Sequence, residues 1–289
     1  MLDVRDLQPV PAPPGMGDLR SWTDVELPGL GRRAEIYAWL PPGYDEPERA
    51  GERYPVLYLH DGHNLFLPER SFGGATWRVG ETMTSLAAQG LPAIVIGIPC
   101  HPDQRGEEYT QYPHPRLGGG RANDYAQFLV THLKPAIDGA LRTRPEPDHT
   151  IVAGSSLGGV ISAHLWLEHQ DVFGGAGLFS PAFWWPGEQA LLDLESAVAQ
   201  GRATGRVYLD TGGHEQPDQP EIERAYVEDA ERLLRSLRAA QVPVHYVYDH
   251  LAHHFETAWA DRFPAAAAWL LRGYAAPPPP YALPSEDQE

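Results

Sequence analysis

A chain of 289 residues with 42% apolar side chains can bury a sizeable core, and that length is ordinary for a single α/β domain. Its net charge of −17 opposes phosphate backbones and anionic bilayers, so neither a nucleic acid nor a membrane is an expected partner, and the charge reads as solubility. The single cysteine, Cys100, excludes an intramolecular disulfide and a cysteine zinc site, no apolar run is long enough for a membrane span, and Met1-Leu2-Asp3-Val4-Arg5-Asp6 lacks the basic-then-apolar form of a signal peptide, so the expected location is cytoplasmic.

Residues 1–19 carry Pro9, Pro11, Pro13, Pro14 and Gly15 and read as an extended arm without regular structure. Apolar alternation over 23–27 and 33–40, interrupted by Pro28-Gly29-Leu30-Gly31, predicts a hairpin. The runs YPVLYLH (54–60) and LPAIVIGI (91–98) are continuous enough for strands buried on both faces, with an amphipathic helix at 76–88 between them. Residues 99–120 form a long loop around Cys100, which reads as an inert, buried thiol. A helix over 124–141 should kink at Pro135. Beyond it, strands are expected at 150–153, 175–180, 206–210 and 242–248, with helices at 160–169, 188–199, 221–240 and 255–271. The Pro-rich, acidic residues 275–289 read as a polyproline-like tail, which leaves one domain over 20–274.

Strands alternating with helices from 54 to 271 predict an α/β fold with a mostly parallel sheet, an N-terminal antiparallel hairpin and helices on both faces. Ligands in such sheets bind beyond the carboxyl ends of the strands. One of those ends holds Gly154-Ser155-Ser156-Leu157-Gly158, a G-x-S-x-G between a strand and a helix. The pattern fits a nucleophile elbow centred on Ser156, where glycines two residues away avoid a clash in a sharp turn. It also fits a glycine-rich turn in which Ser156 caps the helix.

The other strand ends supply partners. After His60 comes Asp61-Gly62-His63-Asn64, either a plain Asp-Gly turn or the source of a second oxyanion donor. The N–H of His63, with Asn64 as runner-up, would join that of Leu157. After 206–210 stand two candidate acids, Asp210 and Glu215, with Asp218 further on; the bland alternative is a loop acid or a helix cap. After 242–248, His250, His253 and His254 compete for the role of base. His250 and His254 are spaced i, i+4, but no H-E-x-x-H accompanies them, so no metal and no cofactor are expected.

Asp61-Gly62, the segment 105–110, Gly118-Gly119-Gly120, the segment 134–138, the elbow 153–159, Ser180-Pro181-Ala182-Phe183-Trp184, the segment 208–215 and His254-Phe255-Glu256-Thr257-Ala258-Trp259 together resemble the esterase D-like and enterochelin esterase-like family of α/β-hydrolases over roughly residues 20–272. That family includes feruloyl and acetylxylan esterases, S-formylglutathione hydrolases and mycolyltransferase antigens. The resemblance implies Ser156 as nucleophile, His254 rather than His250 or His253 as base, and Glu215 as acid. Asp210 remains the alternative because many members use aspartate. The family's usual glycine-rich approach to the histidine is replaced here by Leu251-Ala252-His253.

The expected function is a serine carboxylic-ester hydrolase working through an acyl-enzyme on a small-molecule ester. The alternatives are an acyltransferase using the same triad and a catalytically silent binding module. Asp61, Tyr109, Trp184 and Trp185, with Trp77 and Tyr112 nearby, lie close to the expected site loops and are expected to line a substrate cleft. They also fit as ordinary packing aromatics.

Overall fold

A computed structural model describes residues 2–272. Nine strands form one sheet in the order β1-β2-β3-β5-β4-β6-β7-β8-β9. The hairpin is β2 (Asp18–Leu27) and β3 (Arg32–Leu40), and β3 pairs antiparallel with β5 (Ile94–Ile98). From β5 through β4 (Val56–His60), β6 (Thr150–Ser155), β7 (Gly175–Phe179), β8 (Arg206–His214) and β9 (Val244–His253), every pairing is parallel. The hairpin and parallel sheet match the expected α/β-hydrolase architecture.

The arm differs from expectation. Residues 4–6 form a 3₁₀ turn, and β1 (Gln8–Pro9) adds an antiparallel strand to β2. Leu7, Val10 and Met16 are buried, and the Met16 carbonyl accepts the Trp39 indole N–H at 2.6 Å. Three apolar anchors spaced along a proline-rich segment outweigh its weak intrinsic preference for regular structure, and Pro9 is tolerated because β1 lies at the sheet edge. The tail predicted at 275–289 lies outside the described residues.

All residues of β4, β5, β6 and β7 are buried, as their unbroken apolar runs predict. Their side chains alternate between two cores. On one face, Leu57, Leu59, Ile151 and Ala153 pack with α1 (Val79–Ala88) and α8 (Glu256–Arg272). On the other, Tyr58, Ile96 and Val152 meet α3 (Ala122–Phe128), α4 (Lys134–Ala140), α5 (Leu157–Glu168), α6 (Glu188–Ala199) and α7 (Pro220–Ala239). The loop expected at 99–120 contains a short helix, α2 (Arg105–Tyr109). Pro135 does not break its helix: residues 129–133 widen into a π-turn that joins α3 to α4. No helix among the described residues is long and apolar enough to cross a membrane.

Two features of this sheet position the site. Strand order reverses at β4, which has β5 on one side and β6 on the other, so a crevice opens between the carboxyl ends of β4 and β6. Strands β8 and β9 also run past their expected ends at 210 and 248. Gly212 and Gly213 permit this, because an added Cβ would come within 2.5 Å of the Ala252 carbonyl oxygen and 2.3 Å of the His250 carbonyl oxygen, respectively. The pairing shifts register after Gly212 and sets His214 beside His253, so the next residues, Glu215 and His254, emerge side by side.

Candidate active site

Ser156 has φ 59° and ψ −123°, backbone angles that a non-glycine residue adopts only when its surroundings hold it there. Its N–H donates to the Phe179 carbonyl at 2.9 Å, and its carbonyl accepts the N–H groups of Gly159 and Ala182 at 3.0 and 3.2 Å. A Cβ on Gly154 would lie 2.9 Å from the Gly158 backbone, so the turn closes only with glycine there. Ser156 thus stands between β6 and α5, and the N–H of Leu157 belongs to the first helical turn, whose donors have no intrahelical partner.

Across the crevice, residues 62–64 form a 3₁₀ turn entered through Asp61 at φ 54°. Gly62 is pressed against β5, where an added Cβ would come within 2.6 Å of the Gly97 carbonyl carbon. The Asn64 N–H donates to the Asp61 carbonyl at 2.8 Å and is therefore occupied. Of the two expected oxyanion donors on this loop, geometry favours His63. The Asn64 side chain ties the turn to its neighbours: its amide donates to Glu256 Oε1 at 3.1 Å, and its oxygen accepts the Phe72 N–H at 3.0 Å.

Asp61 is gripped by Arg105, with Nε and Nη2 each 2.8 Å from one carboxylate oxygen, and the same guanidinium donates to the Ser155 carbonyl at 3.2 Å. Burial alone would raise the Asp61 pKa, but the paired guanidinium outweighs it and holds the carboxyl below its ordinary value. Asp61, His63 and Cys100 are close enough together to suggest a metal trio. They make a poor donor set, because Arg105 already occupies both Asp61 oxygens and burial pushes the Cys100 thiol well up, leaving it protonated.

Of the two candidate acids, Glu215 is the one in contact with a histidine. Glu215 Oε2 lies 2.6 Å from His254 Nδ1, while Oε1 accepts the Gly212 N–H. The Glu215 side chain is fully buried; burial acts to raise its pKa, and the hydrogen bond from His254 does most to lower it. Asp210 faces elsewhere. It contacts Arg262 Nε at 2.9 Å and accepts hydrogen bonds from the Ser180 N–H at 2.8 Å and the Tyr208 hydroxyl at 2.9 Å. Asp218 follows in the loop before α7, and among the described residues no hydrogen bond joins it to a histidine. His253 stacks on His214 outside this pair, and among the described residues no hydrogen bond joins His250 to either acid.

Ser156 and His254 line one cleft of about 670 Å³, together with Asp61, His63, Arg105 and Glu256. The expected aromatic lining is different. Tyr109 is completely buried beneath the site, its hydroxyl accepting the Asp61 N–H at 3.3 Å. Trp184 and Trp185 pack against each other at 5.5 Å and lie outside the cleft lining. Trp77 is buried against Phe179 and Trp259, and the Tyr112 hydroxyl bonds Asp193. The cleft instead presents Phe72, which is 89% exposed, with Phe255 and Trp259.

Tyr226, on α7, had no signature in the sequence beyond its place on the apolar face of an amphipathic helix. Its ring lies 5.0 Å from that of His254, and its hydroxyl is 3.5 Å from Nε2. Glu256, inside the H-x-E-x-x-W segment, was visible as a motif residue, but its bond to Asn64 depends on two loops meeting in space.

A family model described as "Putative esterase" matches residues 28–270. A protein of Bacillus subtilis (strain 168) described as uncharacterized, YbbA, is 26% identical over 213 residues, covering 72% of this chain and 78% of the relative. An endo-1,4-beta-xylanase/feruloyl esterase of Xylanibacter ruminicola is 26% identical over 199 residues, covering 67% of this chain but 24% of that longer protein. Among solved structures, the siderophore hydrolase EstB of Aspergillus nidulans superposes with a TM-score of 0.67 at 18% identity, over 93% of this chain and 99% of that one. With the family model matched over most of its length on an α/β-hydrolase fold, the chain belongs to this esterase family and is a carboxylic ester hydrolase.

Proposed function

We propose that the protein is a serine esterase in which Ser156, His254 and Glu215 form the catalytic triad. The observation that carries this reading is the 2.6 Å Glu215–His254 contact in a cleft that also receives the strained Ser156. Ser156 Oγ attacks the ester carbonyl carbon while His254 Nε2 takes its proton. The tetrahedral oxyanion is stabilised by the N–H groups of Leu157 and His63. As the C–O bond to the alcohol breaks, His254 returns the proton to the leaving oxygen, and the acyl group stays on Ser156. Water, deprotonated by His254, then releases the acid and restores the hydroxyl. Glu215 holds the imidazole in one tautomer and offsets the charge it gains.

The exposed ring of Phe72 beside Phe255 and Trp259 favours esters with a planar, apolar acyl or alkoxy group, since such rings desolvate readily against one another. Esters with an aromatic group on the acyl or the alcohol side are therefore the proposed substrates.

Replacing Ser156 with alanine should lower kcat on a p-nitrophenyl ester by on the order of 10⁴-fold or more and abolish labelling by a fluorophosphonate. Undiminished turnover by the purified variant would remove Ser156 as nucleophile. A panel of acetyl, longer acyl and aryl-acyl esters, assayed with Phe72→Ala beside the parent, checks the substrate class. The variant should lose kcat/KM on the aryl esters selectively.

A further inference from the structure

Two loops that carry different parts of the proposed machinery are joined by one side chain. Asn64 stands beside His63 in the 3₁₀ turn 62–64, and Glu256 opens α8 two residues after His254. Asn64 Nδ2 donates to Glu256 Oε1 at 3.1 Å, and Asn64 Oδ1 accepts the Phe72 N–H at 3.0 Å. A backbone N–H can only donate, so the atom it meets is the amide oxygen, and the NH2 group is left to face Glu256. The Asn64 backbone is committed as well: its N–H donates to the Asp61 carbonyl at 2.8 Å, and its carbonyl accepts the Trp77 N–H at 3.0 Å. Glu256 is 5% exposed and lines the same cleft as Asn64, Phe72 and Ser156. The Phe72 segment also rests directly on the loop bearing the base, since a Cβ on Gly73 would come within 2.6 Å of the Phe255 ring.

We infer that Asn64 and Glu256 are positioning residues that clasp the oxyanion turn to the loop bearing His254 and hold Phe72 at the rim of the cleft. The inference rests on the triad reading and extends it to the spacing between its two halves. Oxyanion donor and base act on one tetrahedral centre, and a misplacement of about 1 Å can lower the rate about 10²-fold. The two halves are 192 residues apart in the chain at this contact. Breaking the bond would leave a buried Glu256 oxygen without its donor, so the contact resists separation. The amide that fixes the turn also fixes the residue proposed to meet the aryl group, which ties turnover and aryl recognition to one contact.

An acid in the first turn of a helix is favourable by itself, because of the partial positive charge there. The two roles of Glu256 separate by chemistry. Helix support needs the negative charge, which Glu256→Gln removes. The clasp needs an acceptor, which Glu256→Gln keeps and Glu256→Ala removes. Asn64→Asp keeps the acceptor for the Phe72 N–H but sets a second carboxyl group against Glu256, and two carboxylates at hydrogen-bond distance repel. Combining Asn64→Asp with Glu256→Gln again pairs one donor with one acceptor, with the polarity of the bond reversed.

The test measures kcat and KM separately at neutral pH on the ethyl esters of an aryl-carboxylic acid and of acetic acid. Asn64→Asp should lower kcat about tenfold on both esters and raise KM by a similar factor on the aryl ester alone. The double variant should recover most of both losses, and Glu256→Gln should lose much less than Glu256→Ala. A double variant no better than Asn64→Asp would overturn the clasp, as would equal losses in Glu256→Gln and Glu256→Ala. So would an Asn64→Asp variant that loses nothing or whose KM rises equally on both esters. Should Asn64→Asp not fold, the comparison of glutamine with alanine at Glu256 decides alone. Failure of the triad is read from a different variant, through undiminished turnover by Ser156→Ala.

Discussion

One Asp–Arg pair lines the cleft and a second is buried behind the Glu215 and His254 side, and the pairs are built differently. On the oxyanion flank, Arg105 meets Asp61 fork to fork, with two contacts of 2.8 Å. On the acid–base flank, Arg262 approaches Asp210 through Nε at 2.9 Å while its Nη2 is committed to Ser180. The Asp61 carboxyl is held below its ordinary pKa against the pull of burial. That of Asp210 is raised to about 6, by burial first, with the charge of nearby Glu215 adding to it. A bidentate fork can keep a buried carboxylate ionised, whereas a single approach beside a second carboxylate cannot hold it as firmly. The firmer pair locks the loop bearing His63 to the elbow through the Ser155 carbonyl. The softer pair leaves the histidine to Glu215, since the Asp210 carboxylate is taken up by Arg262, Tyr208 and the Ser180 N–H.

The sharpest way to break this division is to exchange the acids' chemistry. Glu215→Gln should lower kcat by about 10³–10⁴-fold, because the imidazole loses both its tautomer restraint and its counter-charge. Asp210→Asn should cost about tenfold or less, because its carboxylate contacts Arg262, Tyr208 and the Ser180 N–H and not the histidine. Steady-state kinetics on one aryl ester distinguishes them. If only Asp210→Asn collapses kcat, the roles of the two carboxylates are reversed.

Next in size is the oxyanion flank. Arg105→Gln strands Asp61 in a site that is 6% exposed and should destabilise the fold by about 2–4 kcal/mol in urea unfolding. The guanidinium is itself partly exposed, which keeps the figure below that for a fully buried pair. kcat should fall with it, as the turn bearing His63 loosens. A variant of parental stability would mean that the pair contributes little to the site.

The smallest effect is also the most specific, because the two pairs impose opposite pH dependences on stability. The lowered pKa of Asp61 contributes stability above the ordinary carboxylate range, which is lost as pH falls through the folded value. The raised pKa of Asp210 contributes stability that is fully present below 3.8 and is lost as pH rises toward about 6. Asp210→Asn deletes this second contribution. Its unfolding free energy should therefore climb more steeply between pH 4 and 6 than that of the parent, by up to about 1.4 kcal/mol per pH unit. Parallel stability curves would show that Asp210 does not bind a proton in that window.

Much of the catalytic frame was legible in the chain because the forces behind it are local. The strands before residue 156 are short apolar runs, and the elbow's glycines sit where its own turn would clash with a side chain. His254 and Glu215 were singled out by motif resemblance, yet Asp210 stayed open because it stands at the end of the same predicted strand. The extension of β8 and β9 and their register shift after Gly212 carried Glu215, and not Asp210, to the histidine. Local periodicity does not encode a register between strands that lie more than thirty residues apart.

The aromatic lining was misread for a related reason. Trp184, Trp185 and Tyr109 are close to the site loops along the chain, but their rings face the core or one another. Phe72 is held beside the cleft by the side chain of Asn64, eight residues earlier in the same β4–α1 connection, which accepts its backbone N–H. By itself the sequence determined an α/β-hydrolase sheet, a serine at its elbow and a histidine with two possible acids near the end of the chain, since turn sterics and burial patterns act over a few residues. Only the tertiary structure decided which acid meets the histidine and that the remaining aspartate is joined to Arg262 and Ser180, because those outcomes depend on contacts between segments far apart in the chain.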